Sequence, residues 1–190
     1  MSDAPEKSRK PRADSVRNRE HLLTTAKTVF TEAGSDVALE EIARRAEVGI
    51  GTLYRHFPTR GALLAAVYQR EVEHLSQAAD RLLAEKPPAE ALELWFEELI
   101  AYMATKRVVV PALKAEPGEG ARVVASGGPT IHETFGRLVT AGARAGVMRS
   151  GIEVEDLHRL LVGFSHGYDQ PGWEKGARRL AAILIAGLRS

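Results

Sequence analysis

Apolar residues in this chain recur every third or fourth position, and no stretch alternates apolar with polar. Leu22, Leu23, Ala26, Val29, Phe30 and Ala33 follow the spacing of one helix face, and Gly34 supplies a stop. Leu39, Ile42, Ala43 and Ala46 mark a short helix over about 39–46, with Glu40, Glu41, Arg44 and Arg45 on its polar side. A third short helix begins near Ile50 and ends near His56, where Phe57-Pro58-Thr59 breaks it. Thr59 is a natural N-cap for a long helix over about 60–83. Its stripe is Leu63, Leu64, Val67, Tyr68, Val72, Leu75, Ala79 and Leu82. Further helices are predicted over about 89–105, 130–146, 153–167 and 173–188, the last carrying Leu180, Ile183, Leu184 and Leu188. Residues 106–128 hold Val108-Val109-Val110-Pro111, Pro117-Gly118-Glu119-Gly120 and the start of Ser126-Gly127-Gly128-Pro129, and read as a broken stretch, a pocket lid or a loose loop. Asp169-Gln170-Pro171-Gly172 reads as a turn. The fold class is all-α, with eight or nine helices.

Composition narrows the class. The 190 residues are 44% hydrophobic, enough for a packed core. There is no cysteine, so no disulfide, thiolate metal site or cysteine nucleophile. No apolar run approaches the ~20 residues that span a bilayer, and the polar, basic N-terminus is not a secretory signal. A cytoplasmic protein without membrane partners is expected. Residues 1–15 are expected to form a disordered basic arm. Between positions 7 and 19 six cations (Lys7, Arg9, Lys10, Arg12, Arg17, Arg19) stand against Asp14 alone. Such an arm on a near-neutral body suits a DNA-binding module joined to a sensing or dimerising one, and also suits a merely solvated tail.

Two short helices separated by a three- or four-residue turn, after a longer one, describe a helix-turn-helix. The second helix of that motif lays its first residues against base edges in the major groove. Here it reads Ile50-Gly51-Thr52-Leu53-Tyr54-Arg55-His56-Phe57. Leu53 and Phe57, four apart, face inward. Thr52, Tyr54, Arg55 and His56 project elsewhere, with groups that suit phosphates, guanine or the thymine methyl. Gly51 lets the backbone lie close to DNA.

Glu41-Ile42-Ala43, Ala46-Glu47-Val48, Gly51 to Pro58 and Leu63-Leu64 closely resemble the TetR family of bacterial transcriptional regulators. The resemblance runs from about Arg19 to Tyr68. It implies a homodimeric repressor with an N-terminal three-helix DNA-binding domain, set at 16–60, and a helical effector-binding and dimerisation domain at 61–190. The implied partners are a double-stranded DNA operator and a small-molecule effector. The implied DNA-facing set is Arg17, Arg19, Arg44, Gly51, Thr52, Tyr54, Arg55, His56 and Arg60. The chain departs from the family pattern at four places. Glu47 replaces the usual glycine of the turn, Gly49 the usual Ser or Thr cap, Ile50 a polar residue, and Ala38 the Thr cap of the preceding helix.

Trp95, Phe96, Leu99, Ile100, Tyr102 and Met103 taken alone read as core. Under the resemblance their helix and the one carrying Phe135, Leu138 and Val139 line the effector pocket. The effector-binding candidates are Trp95, Phe96, Leu99, Tyr102, Met103, His132, Phe135, Leu138, Val139 and His166, and the ligand expected is a small apolar or aromatic molecule. The last two helices are implied to pack against their copies through Leu160, Phe164, Gly167, Ala181, Leu184, Ile185 and Leu188. A two-fold dimer places its recognition helices about 34–36 Å apart, or a multiple of that, on a palindromic operator.

Competing chemistries are weaker. Gly163-Phe164-Ser165-His166-Gly167 fits a hydrolase nucleophile elbow, but that elbow follows a strand, and Leu157, Leu160, Leu161 and Phe164 form a helical stripe before it. The two small residues four apart suit close helix packing. The six histidines show no metal-ligand spacing, and Gly49 and Gly51 do not complete a dinucleotide fingerprint. No cofactor, metal or enzymatic activity is expected. The reading reached is a ligand-responsive repressor, with the long fourth helix linking its two domains. The alternatives are a helical binder or enzyme whose pocket is the function, and a regulator that ignores its pocket.

Overall fold

A computed structural model describes residues 9–115, 120–164 and 172–190. The described residues form eight helices: α1 Arg9–Ala33, α2 Leu39–Arg45, α3 Ile50–His56, α4 Arg60–Glu85, α5 Pro88–Ala115, α6 Gly120–Arg144, α7 Val154–Phe164 and α8 Trp173–Leu188. Their only β-type contact is an isolated bridge between Met148 and Arg189. The chain divides into two compact units, Met1–Val67 and Tyr68–Ser190, and the division falls inside α4.

In the first unit, α1 ends where expected: Gly34 takes φ +88°, and its N–H bonds the Phe30 carbonyl at 3.0 Å. Its start differs. The helix is described from Arg9 and includes residues 9–15 of the arm expected to be disordered, whose first eight residues lie outside the described residues. Pro11 falls in the first turn, where its missing N–H has no intrahelical partner to lose. Leu22, Leu23, Ala26, Val29 and Phe30 are buried, with Leu39, Ile42, Ala43, Ala46, Leu53 and Phe57 from the next two helices. Thr59 caps α4 through its hydroxyl, which accepts the Ala62 N–H at 3.0 Å.

The second unit overturns one expectation. Most of the stretch 106–128 is helical: α5 continues through Pro111 to Ala115, and α6 already runs through Gly127-Gly128-Pro129, while Pro117, Gly118 and Glu119 lie outside the described residues. Tertiary burial decides the first case. An internal proline costs about 3 kcal/mol or more. Burying Val109, Val110 and Leu113 returns roughly 1.5–3 kcal/mol each. In α6 the small residues answer close approaches. A Cβ on Gly120 would stand 2.4 Å from the Leu113 carbonyl oxygen of α5. One on Gly127 would stand 2.3 Å from the Tyr68 hydroxyl. Gly128 precedes Pro129, and without a Cβ it avoids the clash that pushes a pre-proline residue out of helix.

Aromatic packing fills the centre of this unit. Trp95 and Phe135 stack with ring centroids 5.7 Å apart, and Phe96 meets both edge-on at 5.8 and 5.6 Å. The Trp95 indole N–H donates to the Leu75 carbonyl at 3.0 Å, so the ring is buried without an unpaired donor. Arg137 of α6 reaches α4 through Asp80 at 3.0 Å and the Ser76 hydroxyl at 3.1 Å.

The Gly127 contact gives a direct test. Gly127→Ala forces a methyl into the Tyr68 ring and should cost ~1–3 kcal/mol of stability. Chemical denaturation should show a smaller loss when the same change is made in Tyr68→Phe, which removes the nearest atom. Equal losses in the two backgrounds would mean that Tyr68 does not set the requirement for glycine.

Candidate DNA-binding face and effector cavity

The turn between α2 and α3 is a helix C-cap of the Schellman type. The Val48 N–H bonds the Ala43 carbonyl at 3.0 Å, and the Glu47 N–H bonds the Arg44 carbonyl at 3.2 Å. Such a cap needs a left-handed residue, and Glu47 supplies it at φ +54°. Glycine is the ordinary occupant because a side chain there costs about 1–2 kcal/mol. The helix that follows opens on Gly49, and α2 on Ala38, each without a side-chain cap.

Leu53 and Phe57 anchor α3, both essentially inaccessible. The remaining faces are open. Tyr54 is 44% exposed, Arg55 is exposed, and Thr52 and His56 are half-buried. No atom lies within 4 Å of the place a Cβ would take on Gly51, so nothing within the described protein requires glycine there. The sequence-predicted residues Gly51, Thr52, Tyr54, Arg55 and His56 thus share one short helix with an open side. Arg17 and Arg19 are exposed on α1. Arg17 pairs with Asp14. The Arg19 guanidinium lies 5.5 Å from the Phe57 ring centroid and 3.5 Å from Glu20.

Two candidates are engaged otherwise. Arg60 donates to the Ser35 carbonyl at 2.6 Å, so it ties the start of α4 to the loop after α1. Arg44 forms a two-point pair with Glu41 at 2.8 and 2.7 Å. Arg45 joins Glu41 at 2.9 Å and Glu32 at 2.8 Å. Hydrogen bonds from Arg44 first, and then Arg45, hold the Glu41 carboxyl down to about 2. The sign follows: Glu41 stays paired above the ordinary carboxylate range and loses its charge only as the pH falls through about 2.

The second unit contains a cavity of about 120 Å³ lined by residues of α4, α5, α6 and α7. Leu99, Tyr102, Met103 and His132 line it, as the sequence suggested. Tyr68, Lys106, Val124, Gly128, Ile131, Leu161 and Val162 complete the wall. Trp95, Phe96 and Phe135 do not line it, because their rings are spent on one another in the core. Leu138 is fully buried, and Val139 borders a separate cleft with Arg144 and Arg149. His166 lies outside the described residues. The Tyr102 hydroxyl donates to the Tyr68 hydroxyl at 3.2 Å, which donates to the Val124 carbonyl at 3.3 Å. Sequence reading missed Tyr68, which sits on a core stripe, and Lys106, which opened the stretch taken for a loop.

An open apolar groove runs between α7 and α8, lined by Leu160, Gly163, Leu180, Ile183 and Leu184 with Asp156 and Arg159 at its edge. Leu160, Leu180 and Ile183 are 47%, 53% and 68% exposed. The interface expectation is corrected at three positions. Ala181, Ile185 and Leu188 are buried within the protomer, on the side where Arg178 and Arg189 pair with Glu97 and Glu93 of α5. The outward stripe is Leu180, Ile183 and Leu184, and a single residue, about 100° of rotation about the helix, separates Leu180 from Ala181 and Leu184 from Ile185. Gly167 and the Phe164 side chain lie outside the described residues. The possible nucleophile elbow starts at the end of α7, a helix rather than a strand; its Ser165 lies outside the described residues. No group of three or more His, Asp or Glu suited to a metal comes together among the described residues. No described helix is long and apolar enough to cross a membrane.

A three-helix unit whose last helix is open on one side, followed by a helical unit with a cavity, has the layout of a helix-turn-helix regulator with a separate helical C-terminal domain. Comparison with known proteins gives the family. Residues 22–67 match the model of the bacterial regulatory proteins of the tetR family, and residues 87–190 match the C-terminal domain of SbtR-like transcriptional regulators. A TetR transcriptional regulator of Streptomyces coelicolor is 40% identical over 90% of this chain and 98% of its own, with a TM-score of 0.77. A TetR transcription regulatory protein of Mycobacterium vanbaalenii is 34% identical over 94% and 99%, with a TM-score of 0.78. The transcriptional repressor KstR of Mycolicibacterium smegmatis is 30% identical over 97 residues, 50% of this chain and 48% of that protein. This chain spans about half the length of the curated relatives it matches. It belongs to the TetR family of transcriptional regulators.

The strained turn yields a prediction of its own. Glu47→Gly should stabilise the DNA-binding unit by about 1 kcal/mol by relieving the left-handed side chain. It should also strengthen DNA binding by removing a negative charge beside the recognition helix. Denaturant titration and DNA affinity read the two effects, and an unchanged midpoint would show that Glu47 carries no strain.

Proposed function

We propose that this protein is a repressor that binds a palindromic operator as a homodimer and leaves it when a small apolar or aromatic effector enters the cavity between α5 and α6. The observation that carries the reading is the open face of α3, where Thr52, Tyr54 and Arg55 project from a helix whose inward side is fully used by Leu53 and Phe57. Base and phosphate contacts are assigned to Thr52, Tyr54, Arg55 and His56. Gly51 admits close backbone approach, and Arg17 and Arg19 add phosphate contacts. Arg44 and Arg60 join the DNA only by giving up their internal partners.

The second copy docks on the α7–α8 groove through Leu160, Leu180, Ile183 and Leu184, whose exposure suits an isologous apolar contact. Effector binding acts by preferring the state that does not fit the operator, with a coupling of about 1–3 kcal/mol. Tyr68 stands on α4, a helix that begins in the DNA-binding unit, so an occupant that displaces Tyr68 acts on that helix. The protein works in the cytoplasm and has no catalytic role in this reading. A helical binder or enzyme would leave the polar face of α3 without a use.

Fluorescence anisotropy on the DNA upstream of the protein's own gene, at two salt concentrations, tests the reading. Tight binding that weakens steeply with salt, and falls at least ~100-fold in Tyr54→Ala/Arg55→Ala, is expected. Circular dichroism of the variant should be unchanged. Affinity no greater than for random DNA, or unchanged in the double variant, would contradict the assignment of α3.

A further inference from the structure

Among the described residues the cavity wall carries one lysine and no carboxylate. It is apolar on Leu99, Met103, Ile131 and Leu161. Lys106 is half-buried on it. Among the described residues its ammonium makes no ion pair and no hydrogen bond, and its nearest marked feature is the Tyr102 ring, with the centroid 5.9 Å away. Burial, and then the like charge of Lys114, push its pKa down from the usual lysine value. A charge removed from water without a partner is costly, and an anion placed beside it relieves that cost. The phenol protons of Tyr102 and Tyr68 are already directed along the chain that ends on the Val124 carbonyl. Among the described wall residues Lys106 is therefore the one permanently charged donor, with His132 the other side chain on the wall that can donate.

Size limits the apolar part. A cavity of about 120 Å³ is close to one that accepts a single benzene ring, at ~150 Å³. Resting on the reading of this cavity as the effector site, we propose that the effector is a small organic acid, a carboxylate on an apolar body of about one ring. The ring lies against Leu99, Met103 and Ile131, and the carboxylate pairs with Lys106. Lys106 thereby sets the specificity: a charge-assisted pair in a part-dry wall discriminates an acid from its amide, whereas the apolar wall does not.

Calorimetric titration of the full-length protein with benzoate, and with benzamide as its neutral counterpart, tests this. Benzoate should bind about tenfold or more tightly than benzamide. Lys106→Met should remove that preference while leaving benzamide within about twofold, and Lys106→Arg should retain it. Thermal melting of Lys106→Met without ligand should equal or exceed that of the parent, since a partly dry charge is replaced by an apolar chain of similar length. The proposal is overturned if acid and amide bind alike, if neither binds at millimolar concentration, or if Lys106→Met keeps the preference in a folded protein. Operator affinity measured on the same samples reports separately on the regulator reading. Intact operator binding with no preference for benzoate would sink the acid effector alone.

Discussion

A seven-residue helix does not hold itself together in water, where even good sequences need about 12–15 residues. α2 and α3 are both seven residues long, so each exists only by burying one side in the unit, α2 against α1 and α3 against α2. That constraint organises the DNA-binding unit. Leu39, Ile42 and Ala43 fix α2, and Leu53 and Phe57 fix α3. Once those positions are used, the other faces of α3 can only point outward. The recognition surface is thus the remainder of a packing problem, presented at a defined angle by the turn at Glu47. The Glu41 clamp on Arg44 and Arg45, and the Arg60 bond to Ser35, stiffen the same frame from outside.

The second unit solves a different problem. It closes its core with aromatic contacts and leaves a space one layer away. Trp95, Phe96 and Phe135 satisfy each other and seal the centre. Tyr68 and Tyr102 tie α4, α5 and α6 together by hydrogen bonds, which holds walls apart that apolar contacts alone would collapse. Gly127 makes that arrangement possible, since any side chain there would expel the Tyr68 hydroxyl.

Much of this was legible from the chain alone because its signals are local. The inward pair of α3, the Gly34 stop and the Thr59 cap each depend on residues within one or two turns. The unusual Glu47 was visible as a departure from a family pattern, and its positive φ gives that departure a physical meaning. What failed were features decided at long range. Pro111 and the Gly127-Gly128-Pro129 run are breakers by intrinsic preference, and only burial of Val109, Val110 and Leu113 and the approach of Tyr68 make helix the lower state there. Lys106 was lost with that stretch. The phase of α8 was misjudged for the same reason: Leu180 and Leu184 look no different from Ala181 and Ile185 until α5 is known to cover the latter pair. The aromatic residues of α5 suited either core or cavity, and ring-to-ring geometry divides them.

The central claim is that the open face of α3 reads DNA in a symmetric assembly. Footprinting the protein on the DNA upstream of its own gene tests it most directly. The account predicts two protected half-sites with centres about 34–36 Å apart, or a multiple of that, both lost together when Tyr54 is replaced by alanine. Protection that is absent at concentrations where random DNA is already bound, or that survives loss of Tyr54, Arg55 and Thr52 side chains, would contradict it.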